Sequence, residues 1–228
     1  MSATAYQAEM PDQVLARTGV LKLKGVLFDR VESTSNVLDR GSKSFMSDAE
    51  FRQCFIDLWL EATGAKPNVK FSHQVSVAEL ATTITSGIIK ASSDLHDRDN
   101  KDPDSWLDMS TLDTDAGREF IYNFQSFIDS DTYPGDPRGF DMLLACHNRR
   151  LFRTSRGYLG LGRSNVREND VVTVLHGGRV PFVSRTMGTP GAAYFAFVGD
   201  CFVHDIMNKQ IYDMLEDQGV MTGVFEIR

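Results

Sequence analysis

Cysteine is scarce in this chain. Cys54, Cys146 and Cys201 are three in 228 residues, widely spaced and odd in number, which excludes a disulfide framework. Neither Cys-x-x-Cys nor His-x-x-x-His occurs, so the five histidines (73, 96, 147, 176, 204) offer no local metal-ligand spacing. No apolar run approaches the roughly 18 residues a membrane span needs. The opening MSATAYQAEMPDQ lacks the basic-then-apolar pattern of a secretory leader, and no Asn-x-Ser/Thr acceptor is present. Together these absences point to a cytoplasmic protein without a membrane span, and no internal repeat or low-complexity tract is found.

Familiar chemical signatures are also missing. GYLGLG (Gly157–Gly162) has glycines in the order Gly-x-x-Gly-x-Gly, with no Gly-Lys-Ser/Thr after it and strand-like flanks. It reads as a tight turn rather than a phosphate loop. Asp97-x-Asp99 begins like a calcium loop, but Asp102 stands where glycine is required and Asp108 where glutamate is. No Gly-x-Ser-x-Gly elbow occurs. Cys54 and Cys201 lie in apolar surroundings that suit packing better than nucleophilic attack. The residues therefore call for neither metal nor cofactor.

What is present is strand-like sequence. Between Arg149 and His204, short apolar and aromatic runs are closed by glycine or polar turns. Arg149–Thr154 and Tyr158–Leu161 flank the loop Ser155-Arg156-Gly157. Asp170–His176 and Arg179–Arg185 flank Gly177-Gly178, which predicts a two-residue hairpin. Tyr194–His204 reads as a longer strand with a candidate bulge at Gly199. Val20–Asp29 alternates and then turns fully apolar, a strand expected to join the same sheet, and Val224–Ile227 reads as the last strand.

The middle of the chain is helical in pattern. Ser47 with Glu50, and Ser76 with Glu79, are capping boxes. Phe51, Cys54, Phe55, Leu58 and Trp59 share one helical face; Val77, Leu80, Ala81, Ile84 and Ile88 share another. A third helix follows Asp115, with Phe120, Phe124, Phe127 and Ile128 inward. Residues 94–108 read as an acidic connector and 131–139 as a Pro/Gly loop. The expectation is one α+β domain over 1–228: an arm at 1–17, a first strand at 18–30, a mainly helical block at 45–146, and a meander with a final strand at 147–228. The sheet is expected to be antiparallel and barrel-like.

Charge is uneven. Residues 1–140 carry 22 acidic and 14 basic side chains, a net −8, whereas 141–228 carry 9 and 10, a net +1. Arginines 149, 150, 153, 156, 163 and 167 crowd one stretch, but the acidity of the whole, −7, opposes phosphate-backbone binding, and nucleic acid is not expected as a partner. The 15 Phe, 6 Tyr and 2 Trp could line an apolar cavity as readily as fill a core. His204 with Asp205 closes a strand, and His176 sits at a hairpin mouth; both places could meet a pocket, although a structural histidine fits them too.

The run Arg149-Arg150-Leu151-Phe152-Arg153-Thr154, then Gly157–Gly162, Asn169-Asp170-Val171, Gly177–Pro181 and Gly199-Asp200-Cys201-Phe202-Val203-His204-Asp205-Ile206-Met207 resembles the C-terminal region of fungal heterokaryon-incompatibility (HET-domain) proteins. LKGVLFDR (Leu23–Arg30) and Phe225-Glu226-Ile227 resemble that region's first and last strands. Asn169 and Asp205 stand where the family prefers glycine, and Cys201-Phe202 replace a small residue and tyrosine. The HET domain itself, which carries the family's cell-death output, is not expected within these 228 residues.

Proteins similar to this region without a HET domain include a norbornene-forming Diels–Alderase type of sordaricin-type terpenoid biosynthesis. The resemblance thus implies a cofactor-independent [4+2] cyclase acting on an apolar terpenoid in fungal secondary metabolism. Such a reaction needs a shaped cavity and one or two hydrogen-bond donors. Phe55, Trp59, Tyr158 and Phe182 are then candidate walls, and Arg150, His176, Arg185 and His204 candidate donors, chosen by residue type and strand-end position. The alternative is a non-catalytic protein-interaction module of the incompatibility system, with a hydrolase or isomerase a distant third. Homo-oligomerisation is left open.

Overall fold

A computed structural model describes residues 19–37, 53, 56–57, 77–90, 106–108, 115–129, 145–189, 193–207 and 222–228. Nine strands and two helices are defined there. They are β1 (Leu21–Thr34), α1 (Val77–Ile84), β2 (Ile88–Lys90), β3 (Trp106–Asp108), α2 (Asp115–Asp129), β4 (Arg149–Thr154), β5 (Leu159–Arg163), β6 (Val171–Leu175), β7 (Phe182–Met187), β8 (Tyr194–Val203) and β9 (Thr222–Ile227).

The seven long strands form one sheet in the order β4-β5-β8-β7-β6-β1-β9. Pairing of β4 with β1 closes it into a ring, and β9 bridges β1 and β8. Every pairing is antiparallel except the single parallel contact of Phe195 with Ile227. The expected α+β architecture with a barrel-like sheet is therefore what the chain adopts. Closure matters physically because it leaves few unpaired strand edges.

β1 makes the closure possible by serving three partners in turn. Residues 21–26 pair with β9, 25–30 with β6, and 31–34 with β4. It runs past the predicted end at residue 30 because Val31, Ser33 and Thr34 find partners on β4, after register shifts at Leu27/Asp29 and Val31/Ser33. Asp29, though buried, is satisfied. Its carboxylate accepts from Ser155 Oγ at 2.6 Å and from the N–H of Arg156 at 2.9 Å, holding the β4–β5 turn. Gly157 in that turn has the positive φ (+95°) its sequence suggested.

Inside the barrel Phe28, Val31, Phe152, Val166, Val172, Val174, Val183, Cys201, Val203 and Ile206 pack together. Burying a side chain such as Phe152 contributes about 2–3 kcal/mol. The bulge on β8 falls at Val198–Gly199, where the register against Val183 and Ser184 slips by one. The predicted two-residue hairpin at Gly177-Gly178 is corrected. The turn is Leu175–Gly178, closed by a 2.9 Å bond, and β7 starts only at Phe182 because Pro181 has no N–H for the ladder. Val174 and Leu175 pair with β1.

The helical block differs from expectation in two respects: Trp106–Asp108, read as the end of the acidic connector, forms strand β3, and Ile88 leaves its helical face. Ile88 ends up in β2, which pairs with β3 as a separate two-stranded sheet. α1 stops at Ile84 because Ser86 and Gly87 take positive φ, and the Gly87 N–H caps the Thr82 carbonyl at 2.8 Å. Leu80, Ala81 and Ile84 are buried as predicted, and α1 packs against β5 and α2. In α2, Phe120 and Phe124 are buried with ring centroids 6.2 Å apart. Gln53, Ile56 and Asp57 are helical, consistent with the first helical pattern. The arm at 1–17, the 131–139 loop, and the side chains of Phe55, Trp59, Phe127 and Ile128 lie outside the described residues. No helix among the described residues is long and apolar enough to cross a membrane.

Candidate functional site

Chemistry-bearing side chains converge where β8 ends. The His204 N–H donates to the Leu159 carbonyl at 3.0 Å, tying the strand end to β5, and the chain then turns through Asp205. Asp205 has φ +66°, a left-handed conformation that glycine takes freely and aspartate tolerates. Glu79, in the first turn of α1, is brought against this turn because α1 packs on β5. One ligand atom each from Glu79, His204 and Asp205 lies within 4.8 Å of the others. The His204 imidazole Nδ1 stands 3.0 Å from the Asp205 carboxylate. An imidazole with two carboxylates can hold a proton or a divalent cation.

The helix is fixed at both ends of this contact. At its far end Gly87 lies against the Phe202 ring, where a Cβ would come within 2.8 Å of Cε2. α1 is therefore seated on β5 and β8 rather than laid loosely over them.

The other candidate donors share no partner with His204 among the described residues. Arg185 on β7 is bidentate to Asp170, with Nε–Oδ1 2.7 Å and Nη2–Oδ2 2.8 Å, and its Nη2 also donates to the Asn165 carbonyl at 2.8 Å. Its hydrogen bonds to Asp170 raise its pKa, burial working the other way. Arg150 on β4 reaches Thr34 Oγ1 at 3.3 Å, and its buried Nε has no hydrogen bond among the described residues. His176 is exposed in the turn after β6. Of the candidate walls, Tyr158 packs edge-on against Phe28 at 5.0 Å beside the barrel core, and Phe182 meets Phe197 at 5.4 Å. Phe55 and Trp59 lie outside the described residues.

Four of the crowded arginines, Arg149, Arg153, Arg156 and Arg163, engage carboxylates or aromatic rings of the protein. Arg149 and Arg163 both bind Asp200, at 2.9 and 2.6 Å, linking β4, β5 and β8. Burial disfavours the charged Asp200, but the two guanidinium groups outweigh it and hold the carboxyl below its usual range. Arg153 pairs with Glu32 at 2.6 Å, and Arg156 lies over the Phe28 and Tyr158 rings. Burial, then the neighbouring Asp200 charge, pushes the Cys201 thiol far up, which removes it as a nucleophile.

Sequence reasoning missed Glu79 as a site residue, seeing only its capping role, and missed Asp170 and Asp200 as anchors. Glu79 precedes His204 by so many residues that no local spacing could have joined them. The Arg-rich run carried a signal for Asp200, since a largely buried guanidinium such as that of Arg149 calls for an acceptor.

A closed antiparallel barrel with α1 seated on one wall is thus the class of the molecule. The chain belongs to the Het-6 beta-barrel domain family, which matches residues 63–220. It is similar to the Neurospora crassa protein "Heterokaryon incompatibility protein 6, OR allele", with 31% identity over 68 residues. That match covers 30% of this chain and 10% of the relative. No solved structure matches the chain. β1 and β9 lie outside the family match, although they complete the barrel.

Proposed function

We propose that this chain is a protein-interaction module of the heterokaryon-incompatibility kind, acting by binding rather than by chemistry. The observation that carries the reading is a pair of exposed hydrophobic side chains on the sheet, Leu27 of β1 and Phe197 of β8. Leu27, Thr173 and Phe182 are successive cross-strand partners on β1, β6 and β7, and the Phe182 ring packs on Phe197 of β8. Leu27 is 43% and Phe197 51% exposed. Thr173, which pairs with both Leu27 and Phe182, is polar and fully buried, so Leu27 and Phe197 are separate exposed hydrophobic positions, each available to contact another protein. Family membership supports the same reading.

The terpenoid-cyclase reading has less behind it. Its four donors share no partner among the described residues, Arg185 is engaged by Asp170, and His176 faces solvent. The deciding experiment compares fungal strains with the gene intact, deleted, or carrying Phe197→Glu. The module reading expects altered hyphal fusion or cell death in the deletion and the variant, with unchanged terpenoid profiles by mass spectrometry. Loss of a terpenoid with build-up of an uncyclised precursor, and normal fusion, would replace it with the cyclase.

A further inference from the structure

We infer that Glu79, His204 and Asp205 form a binding site for a divalent first-row metal ion, with Zn²⁺ best matched to the donors. The site is separate from Leu27 and Phe197 and does not depend on the function proposed above. One ligand atom from each of the three residues lies within 4.8 Å of the others. Donors around a bound zinc, each at about 2.0–2.2 Å from it, sit roughly 3–3.5 Å apart, so a small contraction suffices. The half-exposed Glu79 on the first turn of α1 can supply it by side-chain rotation.

A second observation concerns His204 alone. Its Nδ1 is fully buried and makes no hydrogen bond among the described residues, although the Asp205 Oδ1 is only 3.0 Å away. A ring nitrogen and a carboxylate oxygen at that distance, not aligned for a shared proton, are disposed as two donors to one cation. Leaving a buried polar atom unsatisfied is costly, and metal ligation is one way of satisfying it.

The donors also stand on fixed elements. His204 is held by β5 through the Leu159 carbonyl, and α1 is seated by Gly87 on Phe202. Preorganisation of this kind favours binding. Asp205 keeps a side chain at a φ of +66° where glycine would be at ease, so the carboxylate is present despite the local backbone cost. One imidazole beside two carboxylates suits Zn²⁺ better than Mg²⁺ or Ca²⁺, which prefer all-oxygen shells. Three protein donors leave a position for water. A bound ion would clamp the helical layer to the barrel wall.

The test is titration of the purified full chain with Zn²⁺ by calorimetry, with thermal melting alongside. The expected result is one Zn²⁺ per chain, a rise in Tm on binding, and at least tenfold weaker binding in Asp205→Gly, His204→Gln and Glu79→Gln. Asp205→Gly relieves the left-handed backbone and should melt no lower than the wild type without metal, so its loss of affinity would not be loss of fold. Should it fail to fold, the near-isosteric Glu79→Gln carries the same comparison. Wild-type protein that takes up no Zn²⁺, that binds it as tightly in all three variants, or that binds Mg²⁺ equally well would overturn the assignment.

Discussion

The ring of Phe152 on β4 occupies the space that a side chain at Gly160 on β5 would need. The two residues are cross-strand partners, and a Cβ at Gly160 would fall on the ring Cζ, with Cε2 2.6 Å away. At Gly162 a Cβ would stand 3.3 Å from the same ring and 2.8 Å from Val166. The alternating glycines of the Leu-Gly-Leu-Gly run therefore form a strand floor on which a fully buried phenylalanine rests. Their spacing comes from the two-residue period of a strand, which is why it does not suit a phosphate loop.

Gly160→Ala should accordingly be destabilising by about 1–3 kcal/mol or more, the usual range for forcing a methyl into a packed core. Urea denaturation would measure it. Combining it with Phe152→Leu should cost clearly less than the two single changes added together, because the smaller side chain vacates the clash. Strict additivity would mean the two residues do not compete for space.

Much of the barrel was legible because strands announce themselves by alternation and by the turns between them. The β4–β5 turn, the bulge beside Gly199 and the placement of the first and last strands in one sheet were all readable in this way. The end of β1 was not. RVEST looks polar and turn-like, and only pairing with β4, more than a hundred residues onward, makes it strand. Ile88 carried a helical period but is taken by β2, since the positive φ at Ser86 and Gly87 breaks α1 first. Asn169 and Asp205, the two positions where glycine was expected by resemblance, both take positive φ, at +69° and +66°. Asn and Asp are the residues that best replace glycine there. For the site, His204 and Asp205 were visible as neighbours at a strand end, whereas Glu79 joins them only through helix packing.

Arg185→Leu should be among the more damaging substitutions outside the core. Asp170 is 2% exposed as a side chain, and Arg185 supplies its bidentate cation. Removing the guanidinium strands a buried carboxylate, at a cost of about 3–5 kcal/mol. The double variant Asp170→Asn with Arg185→Leu should recover part of that loss in urea denaturation, the Arg167 N–H still having an acceptor. No recovery would show that Arg185 matters chiefly through its bond to the Asn165 carbonyl.

Acid should weaken the protein in part through Asp200. Arg149 and Arg163 hold its folded-state pKa below the ordinary value, against the effect of burial. Its contribution is therefore fully present above the unfolded pKa of roughly 4 and is lost as pH falls through the lower folded value. Stability measured by denaturant titration between about pH 5 and pH 2 should fall less steeply in Asp200→Asn than in the wild type, from a lower starting point at neutral pH. Equal slopes would remove Asp200 as a source of the acid sensitivity.

Cys201 offers a direct check on the barrel interior. It is 3% exposed within the core cluster, and burial with the adjacent Asp200 charge raises its pKa far above that of a free thiol. The thiolate is the nucleophile that displaces iodide from iodoacetamide, so at pH 8 the native protein should leave Cys201 unmodified, as judged by peptide mapping. In denaturant it should react at the rate of an ordinary cysteine. Under native conditions its slow labelling should follow the population of the unfolded form, and destabilising changes such as Gly160→Ala should accelerate it in proportion. Rapid modification of Cys201 in the folded wild type would mean that the barrel opens locally at β8, without unfolding as a whole.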